Sequence, residues 1–163
     1  MSGLQYRWRR FDELSRDELY AVLALRQQVF VVEQSSAYAD LDFLDQRAEH
    51  LLATDEACLV GYARSFGPSA EKPHASFGRL VVAPERRGEA LGKELVRRAL
   101  SRLAQGACRE VQISAQLYLE DFYAQFGFAR SSKPYDDTGI LHIDMRMTLR
   151  DQAFYESLRF AAK

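Results

Sequence analysis

The chain has little of what would staple a fold, anchor it or charge it. Cysteines number 2 in 163 residues. Cys58 and Cys108 lie far apart, with no paired Cys or His beside either, which argues against a zinc site and a disulfide scaffold. Both are expected as small buried hydrophobes. No apolar run approaches the roughly 20 residues of a membrane-spanning helix. Met1 to Gln5 lacks the apolar core of a secretory signal. Charge of one sign is also missing. Lys and Arg total 22 against 23 Asp and Glu, a formal net charge of −1, so no basic field recruits nucleic acid or anionic lipid. These absences predict a cytoplasmic protein with no metal, membrane or nucleic-acid partner. What is present is 47% hydrophobic and 28% charged, an ordinary globular balance. No repeat, linker or low-complexity stretch divides the chain. One domain over residues 1–163 is expected, with a core at about 5–150 and a tail from 151 to 163.

Periodicity gives an alternation of strands and helices. Gln5 to Phe11 reads as a first strand. Ser15-Arg16-Asp17-Glu18 is a capping-box pattern. Leu19, Val22, Leu23, Val29 and Phe30 follow at helical spacing, predicting a helix over about 17–29. Arg26 sits on that stripe, where a charge needs either an edge or a carboxylate partner such as Glu33. The polar segment Glu33–Arg47 carries Asp40, Asp42 and Asp45 and reads as a loop. It is either solvated or an acidic surface for a cationic acceptor. Strands are expected at His50–Thr54, Cys58–Phe66 and Ala75–Val82, then a helix carrying Leu91, Leu95, Ala99, Leu100 and Leu103 on one side. Val111–Ala115 is a short buried strand, Leu119–Phe126 a short helix, and Phe128 opens another strand. Leu141, Ile143, Met145, Met147 and Leu149 alternate strictly with polar residues, as in a strand with one buried face. The tail after Asp151 reads as helical.

Residues Arg79 to Leu95 carry most of the functional signal. An apolar strand meets a proline-stopped turn at Pro84. Arg86, Arg87 and Gly88 follow, and a helix opens. The first amides of a helix lack intrahelical partners, and its dipole is positive at that end. Gly88, Ala90 and Gly92 leave room for a phosphate at the backbone, with arginines beside it, so the fitting ligand is a pyrophosphate. No Gly-Lys-Ser/Thr ends the loop, which excludes a Walker motif, and the three-glycine dinucleotide spacing is absent.

The six residues Arg87-Gly88-Glu89-Ala90-Leu91-Gly92 resemble the acyl-CoA pyrophosphate loop of the GNAT acetyltransferases, Gln/Arg-x-x-Gly-x-Gly/Ala, with Ala90 replacing the middle glycine. Farther on, Tyr123-Ala124-Gln125-Phe126-Gly127-Phe128 is similar to that family's Tyr-x-x-x-Gly-Phe ending. Arg26, Val29 to Gln34, Tyr38 with Asp40 and Asp42, Ala115-Gln116, and Gly139 to Ile143 resemble the ElaA-like branch. The likeness spans about residues 5 to 150. It implies an α/β fold: a V-splayed mixed sheet of about 6–7 strands flanked by about 4 helices. It also implies acetyl-CoA as cosubstrate, lying in the splay and pairing its pantetheine with Leu80, Val81 and Val82. Arg86, Arg87, Gly88, Glu89, Ala90, Leu91, Gly92 and Lys93 would hold the pyrophosphate, with Gln116 and Tyr123 along the arm. Arg26, Phe30, Glu33, Tyr118 and His142 fall on the acceptor side. A homodimer is compatible with the resemblance.

Direct acetyl transfer to an amine needs a neutral nucleophile, a stabilised oxyanion and a proton for the departing thiolate. Tyr123 is the candidate acid, because its family position puts the phenol near the sulfur; read without the family it is a core aromatic. Glu33, Tyr118 and His142 are the candidate bases. No Cys–His or Ser–His pairing is evident for a covalent route. The other reading is a CoA-binding sensor or complex subunit without catalysis.

Overall fold

Strands form where burial alternates or both faces are covered, and they gather into two groups. The computed structural model describes residues 3–160. Strands β1 (Gln5–Arg10), β2 (Glu49–Asp55), β3 (Cys58–Phe66) and β4 (Ser76–Val82) make an antiparallel sheet in that order. Strands β5 (Glu110–Gln116), β6 (Ala129–Arg130), β7 (Tyr135–Asp137) and β8 (Ile140–Thr148) make a second, with β8 pairing the other three. Among the described residues, one parallel bridge joins the two sheets. The Ala75 amide donates to Glu110 O at 3.0 Å, and the Gln112 amide donates to Ala75 O at 3.0 Å. Beyond that hinge β4 and β5 diverge. A register irregularity between Tyr62 and Arg64 of β3, opposite Arg79 at φ 49°, marks the bulge that bends β4 away. The V-splay expected from the resemblance is present, and it is wide enough to divide the sheet in two.

Helix α1 (Arg16–Arg26) starts on the capping box: the Glu18 amide donates to Ser15 Oγ at 3.0 Å and the Ser15 amide to Glu18 Oε2 at 2.9 Å. It covers one face of the first sheet, where Val22 and Val29 meet Leu52, Tyr62 and Val81. Helix α2 (Leu91–Leu103) covers the opposite face and ties the sheets together. Leu91 and Leu95 pack on Leu51, Ala53 and Ala63 of the first sheet. Val96, Ala99, Leu100 and Leu103 pack on Val111, Ile113, Ile143 and Met145 of the second. Each fully buried leucine stabilises the fold by about 1.5–3 kcal/mol. The helix lies so close to β3 that a Cβ on Gly61 would sit 3.1 Å from Leu95 Cδ1 and 3.4 Å from Ala53 Cβ. Two short helices finish the fold, α3 (Glu120–Ala124) and α4 (Gln152–Ser157). The tail belongs to the core: Tyr155 is buried, and its carbonyl accepts from Arg97 Nη1 at 3.0 Å.

Several expectations need correction. Helix α1 ends at Arg26, and Gln27–Glu33 continues as a π-helix rather than as the same α-helix. The extra residue per turn keeps Val29 buried and delivers Glu33 and Gln34 to the mouth of the splay. Strand β7 was not anticipated, because its three residues are exposed and show no periodicity. Cys58 is exposed and Cys108 only half-buried. Cys58 borders the Glu56–Ala57 turn, where there is no second layer to cover it.

Candidate functional site

The splay is a slot between β4 and β5, and its walls are unsatisfied backbone. Beyond Ala75, the outer edge of β4 has no strand partner among the described residues, so the outward N–H and C=O groups of Leu80 to Val82 are open to an extended ligand. At the end of β4 the chain turns through Pro84–Arg86 and enters α2 with Gly88 at φ 86° and Ala90 at φ 60°, ψ 10°. No side chain caps α2. Its first amide bond runs from Glu94 N to Ala90 O at 3.1 Å, which leaves the amides of Leu91, Gly92 and Lys93 without helical acceptors. An open strand edge ending at an uncapped helix N-terminus fits an amide-bearing arm attached to a pyrophosphate, as coenzyme A has.

Both arginines of the loop are paired. Arg86 Nε donates to Glu89 Oε1 and Oε2 at 3.0 and 2.9 Å, and its Nη1 to Asp55 Oδ2 at 2.7 Å. Arg87 grips Glu33 in a bidentate pair at 2.9 and 3.0 Å. The next residue, Gln34, exchanges carboxamide hydrogen bonds with Gln116 at 3.1 and 3.4 Å. The end of the π-helix thus straps the open end of the slot, joining the pyrophosphate loop to the tip of β5. Sequence reading missed Gln34. Its only sequence signal was its place in the segment shared with the ElaA-like branch.

Tyr123, on α3, packs in the core cluster that includes Phe77 of β4 and Ile113 and Ala115 of β5. Its ring meets Phe77 of β4 at 6.1 Å and Phe128 at 6.0 Å between centroids. The side chain is buried, and no group among the described residues hydrogen-bonds its hydroxyl. Burial, with the nearby Tyr118 hydroxyl, pushes its pKa well above the usual phenol value, so it stays protonated. Tyr118 is exposed and lies within electrostatic reach of Arg87 and Glu33. Phe30 packs in the apolar cluster beneath α1.

The solvent-facing side of the second sheet carries a polar stripe. In register, Gln116 faces His142 and Ser114 faces Asp144. His142 Nδ1 lies 2.8 Å from Ile140 O, so Nδ1 is the donor and Nε2 takes no part in that bond. Tyr135 stacks on His142, and its hydroxyl donates to Asp144 Oδ1 at 2.9 Å. Between this stripe and the first sheet lies a cavity of about 770 Å³, lined in part by Phe66, Phe77, Arg79, Ser114 and Asp144.

Arg26 is not in the slot. It is fully buried, donating to Asp40 Oδ2 and Asp45 Oδ1 at 2.8 Å each and to Asp40 O at 3.0 Å. Arg64 donates to Asp45 and Asp42 at 2.8 Å each, and Arg79 contacts Asp40 at 2.7 Å. The three aspartates are therefore neither a solvated loop nor a surface for a cation; three arginines neutralise them internally. Burial alone would raise the Asp42 carboxyl, but hydrogen bonds from Arg64 and the Leu44 amide hold it well below the usual carboxylate range. Glu33, proposed as a partner of Arg26, pairs with Arg87 instead.

Among the described residues no helix is long and apolar enough to cross a membrane, and no group of three His, Cys, Asp or Glu is placed to hold a metal. The model of the acetyltransferase (GNAT) domain matches residues 12–149. A UPF0039 protein of Synechocystis is 42% identical over 144 residues, covering 87% of this chain and 94% of the relative. Protein ElaA of Escherichia coli is 37% identical, covering 82% and 90%. Among solved structures, an acyl-CoA N-acyltransferase from Pseudomonas aeruginosa superposes with a TM-score of 0.84 at 35% identity, covering 88% and 99%. Escherichia coli ElaA superposes at 0.82 and 34%, with the same coverage. The acyl-homoserine lactone synthase LasI, at 16% identity and 0.78, shares the fold. The slot, the uncapped helix and these likenesses agree: the chain belongs to the GNAT family of acyl-CoA-dependent acyltransferases, in its ElaA-like branch.

Proposed function

We propose that this protein is an N-acetyltransferase in which a primary amine directly attacks the thioester of acetyl-CoA. The observation that carries the reading is Tyr123: a buried phenol in the core cluster that β4 and β5 share, protonated, with its hydroxyl uncommitted. Acetyl-CoA supplies the activated acyl group and the leaving sulfur. The amides of Leu91 to Lys93 and Arg87 hold its pyrophosphate, and the open edge at Leu80 to Val82 aligns the arm. The amine nitrogen bonds to the acetyl carbon as the carbon–sulfur bond breaks. One proton leaves the amine through His142 Nε2, and one reaches the departing sulfur from the Tyr123 hydroxyl. Of the candidate bases, Glu33 is held by Arg87 in a bidentate pair, whereas His142 donates from Nδ1 to Ile140 O, which leaves Nε2 to face the amine.

Tyr123→Phe tests this. Turnover should fall by about 10²–10⁴, the range for a positioned acid or base. Affinity for desulfo-CoA, read by calorimetry, should change little. Unaltered turnover would remove Tyr123 from the role. Binding of CoA with no acetyl transfer to any primary amine would instead favour a CoA sensor.

A further inference from the structure

We propose that the acceptor is a short peptide, or a peptide-like amine, carrying a carboxylate about three residues' length from its amino group. This rests on the acetyl-transfer reading above and names the substrate class for it. The cavity of about 770 Å³ is of ligand size. It lies against the N-terminal half of β4, whereas the pyrophosphate loop follows the C-terminal end. Donor and acceptor can therefore approach the bulge at Arg79 from opposite ends of one slot.

Among the described residues, the cavity's unpaired cations lie at one end, with Glu71 beside them, and Asp144 lies toward the other. Arg64 and Arg79 line it, but their donors are turned to Asp40, Asp42 and Asp45. Arg47 and Lys72 are also in the lining, both exposed and neither in an ion pair among the described residues. They sit at the closed end. Arg47 precedes β2, and Lys72 belongs to the connection between β3 and β4, where Phe66 pairs with Ser76. Glu71 and His74 flank Lys72 on the rim. Toward the open end the carboxylate is Asp144, in register with Ser114 and two residues from His142. An ammonium is attracted to Asp144, within reach of the base. A carboxylate at the other end meets Arg47 and Lys72. The β4 residues that line the cavity run from Ser76 to Arg79, three strand steps of about 10 Å in all, the span of an extended tripeptide. Phe66 and Phe77 give the apolar contact that its side chains need. A polyamine of that length would instead place its second ammonium against two cations.

The test compares three acceptors with acetyl-CoA: an alanyl-phenylalanyl-alanine tripeptide, the same peptide as its C-terminal amide, and spermidine. The free acid should be favoured in kcat/KM over the amide by about tenfold, one well-formed charge pair's worth, and spermidine should be poorer still. In the Arg47→Ala, Lys72→Ala double variant the ratio of acid to amide should fall toward one. Equal use of acid and amide by the unmodified enzyme, or preference for spermidine, overturns the assignment while leaving acetyl transfer intact. No acetylation of any of the three, with desulfo-CoA still bound, overturns the peptide assignment; the acetyl-transfer reading itself falls only if a broad panel of primary amines is silent as well.

Discussion

Ala90 stands where the family loop carries a glycine, and it adopts the left-handed conformation that a glycine would: φ 60°, ψ 10°. For an L-residue this costs about 1–2 kcal/mol. Glycine removes that strain but adds freedom to the unfolded chain, worth roughly 0.5–1 kcal/mol. Ala90→Gly should therefore raise stability modestly, by up to about 1 kcal/mol, seen as a higher denaturant midpoint at unchanged slope. A lower midpoint would mean that the Ala90 methyl contributes packing greater than its strain. The substitution was visible in the sequence; its backbone angle was not. Arg26 teaches the converse. Its position on an apolar stripe announced a buried charge with a carboxylate partner, but its partners, Asp40 and Asp45, lie 14 and 19 residues away across a loop. That loop brings its aspartates inward through Phe43 at φ 58°, a conformation no sequence pattern signals for an aromatic residue.

At the scale of elements, the π-helical segment Gln27–Glu33 links the two halves of the site. Its last residue pairs with the Arg87 guanidinium proposed above for the pyrophosphate, and Gln34 ties the same segment to β5. On that proposal, donor binding competes with Glu33 for Arg87. The pair is half exposed, so its worth is of the order of 0.2–1 kcal/mol. Glu33→Gln should accordingly tighten desulfo-CoA binding by about one- to fivefold, measured by calorimetry at low salt. Weaker binding in that variant would show that Glu33 holds the loop in its receptive shape rather than competing for it. Elements with local signals were legible. The capping box of α1, the bounds of β3 and the start of α2 appear where the sequence put them, and β8 alternates as expected from Ile143 onward, whereas Leu141 at its start is exposed. What was hidden depends on pairing between distant segments. The exposed β7 and the Gln34–Gln116 link gain their order from neighbours, not from their own residues.

For the molecule as a whole, the slot stays open because its walls are braced from outside it. Helix α2 bridges both sheets on one side, and the buried cluster of Arg26, Arg64, Arg79, Asp40, Asp42 and Asp45 stiffens the first sheet on the other, fastening α1 and its loop to β3 and β4. His50 completes the cluster from β2. Its Nε2–H donates to Asp45 O at 2.9 Å, and its Nδ1 accepts from the Tyr62 hydroxyl at 2.8 Å, so it is neutral when folded. Burial lowers its pKa below the ordinary 6.5, with Arg26 and Arg64 pushing the same way against Asp45. The sign follows from proton counts. Below about pH 6.5 the unfolded chain takes a proton on His50 that the folded chain refuses, so stability falls as pH drops, until the folded pKa is reached. Asp42, lowered from its ordinary 3.8, adds a second loss at more acid pH, where the unfolded chain again binds the proton first. The melting temperature should thus decline in two stages, the first beginning near pH 6.5 and the second near pH 4. His50→Gln keeps a donor to Asp45 O but cannot titrate. It should abolish the first stage and retain the second. If the variant and the parent lose stability in parallel between pH 7 and 5, the proton that destabilises the fold goes to another group, and the cluster is not the acid-sensitive joint of the molecule.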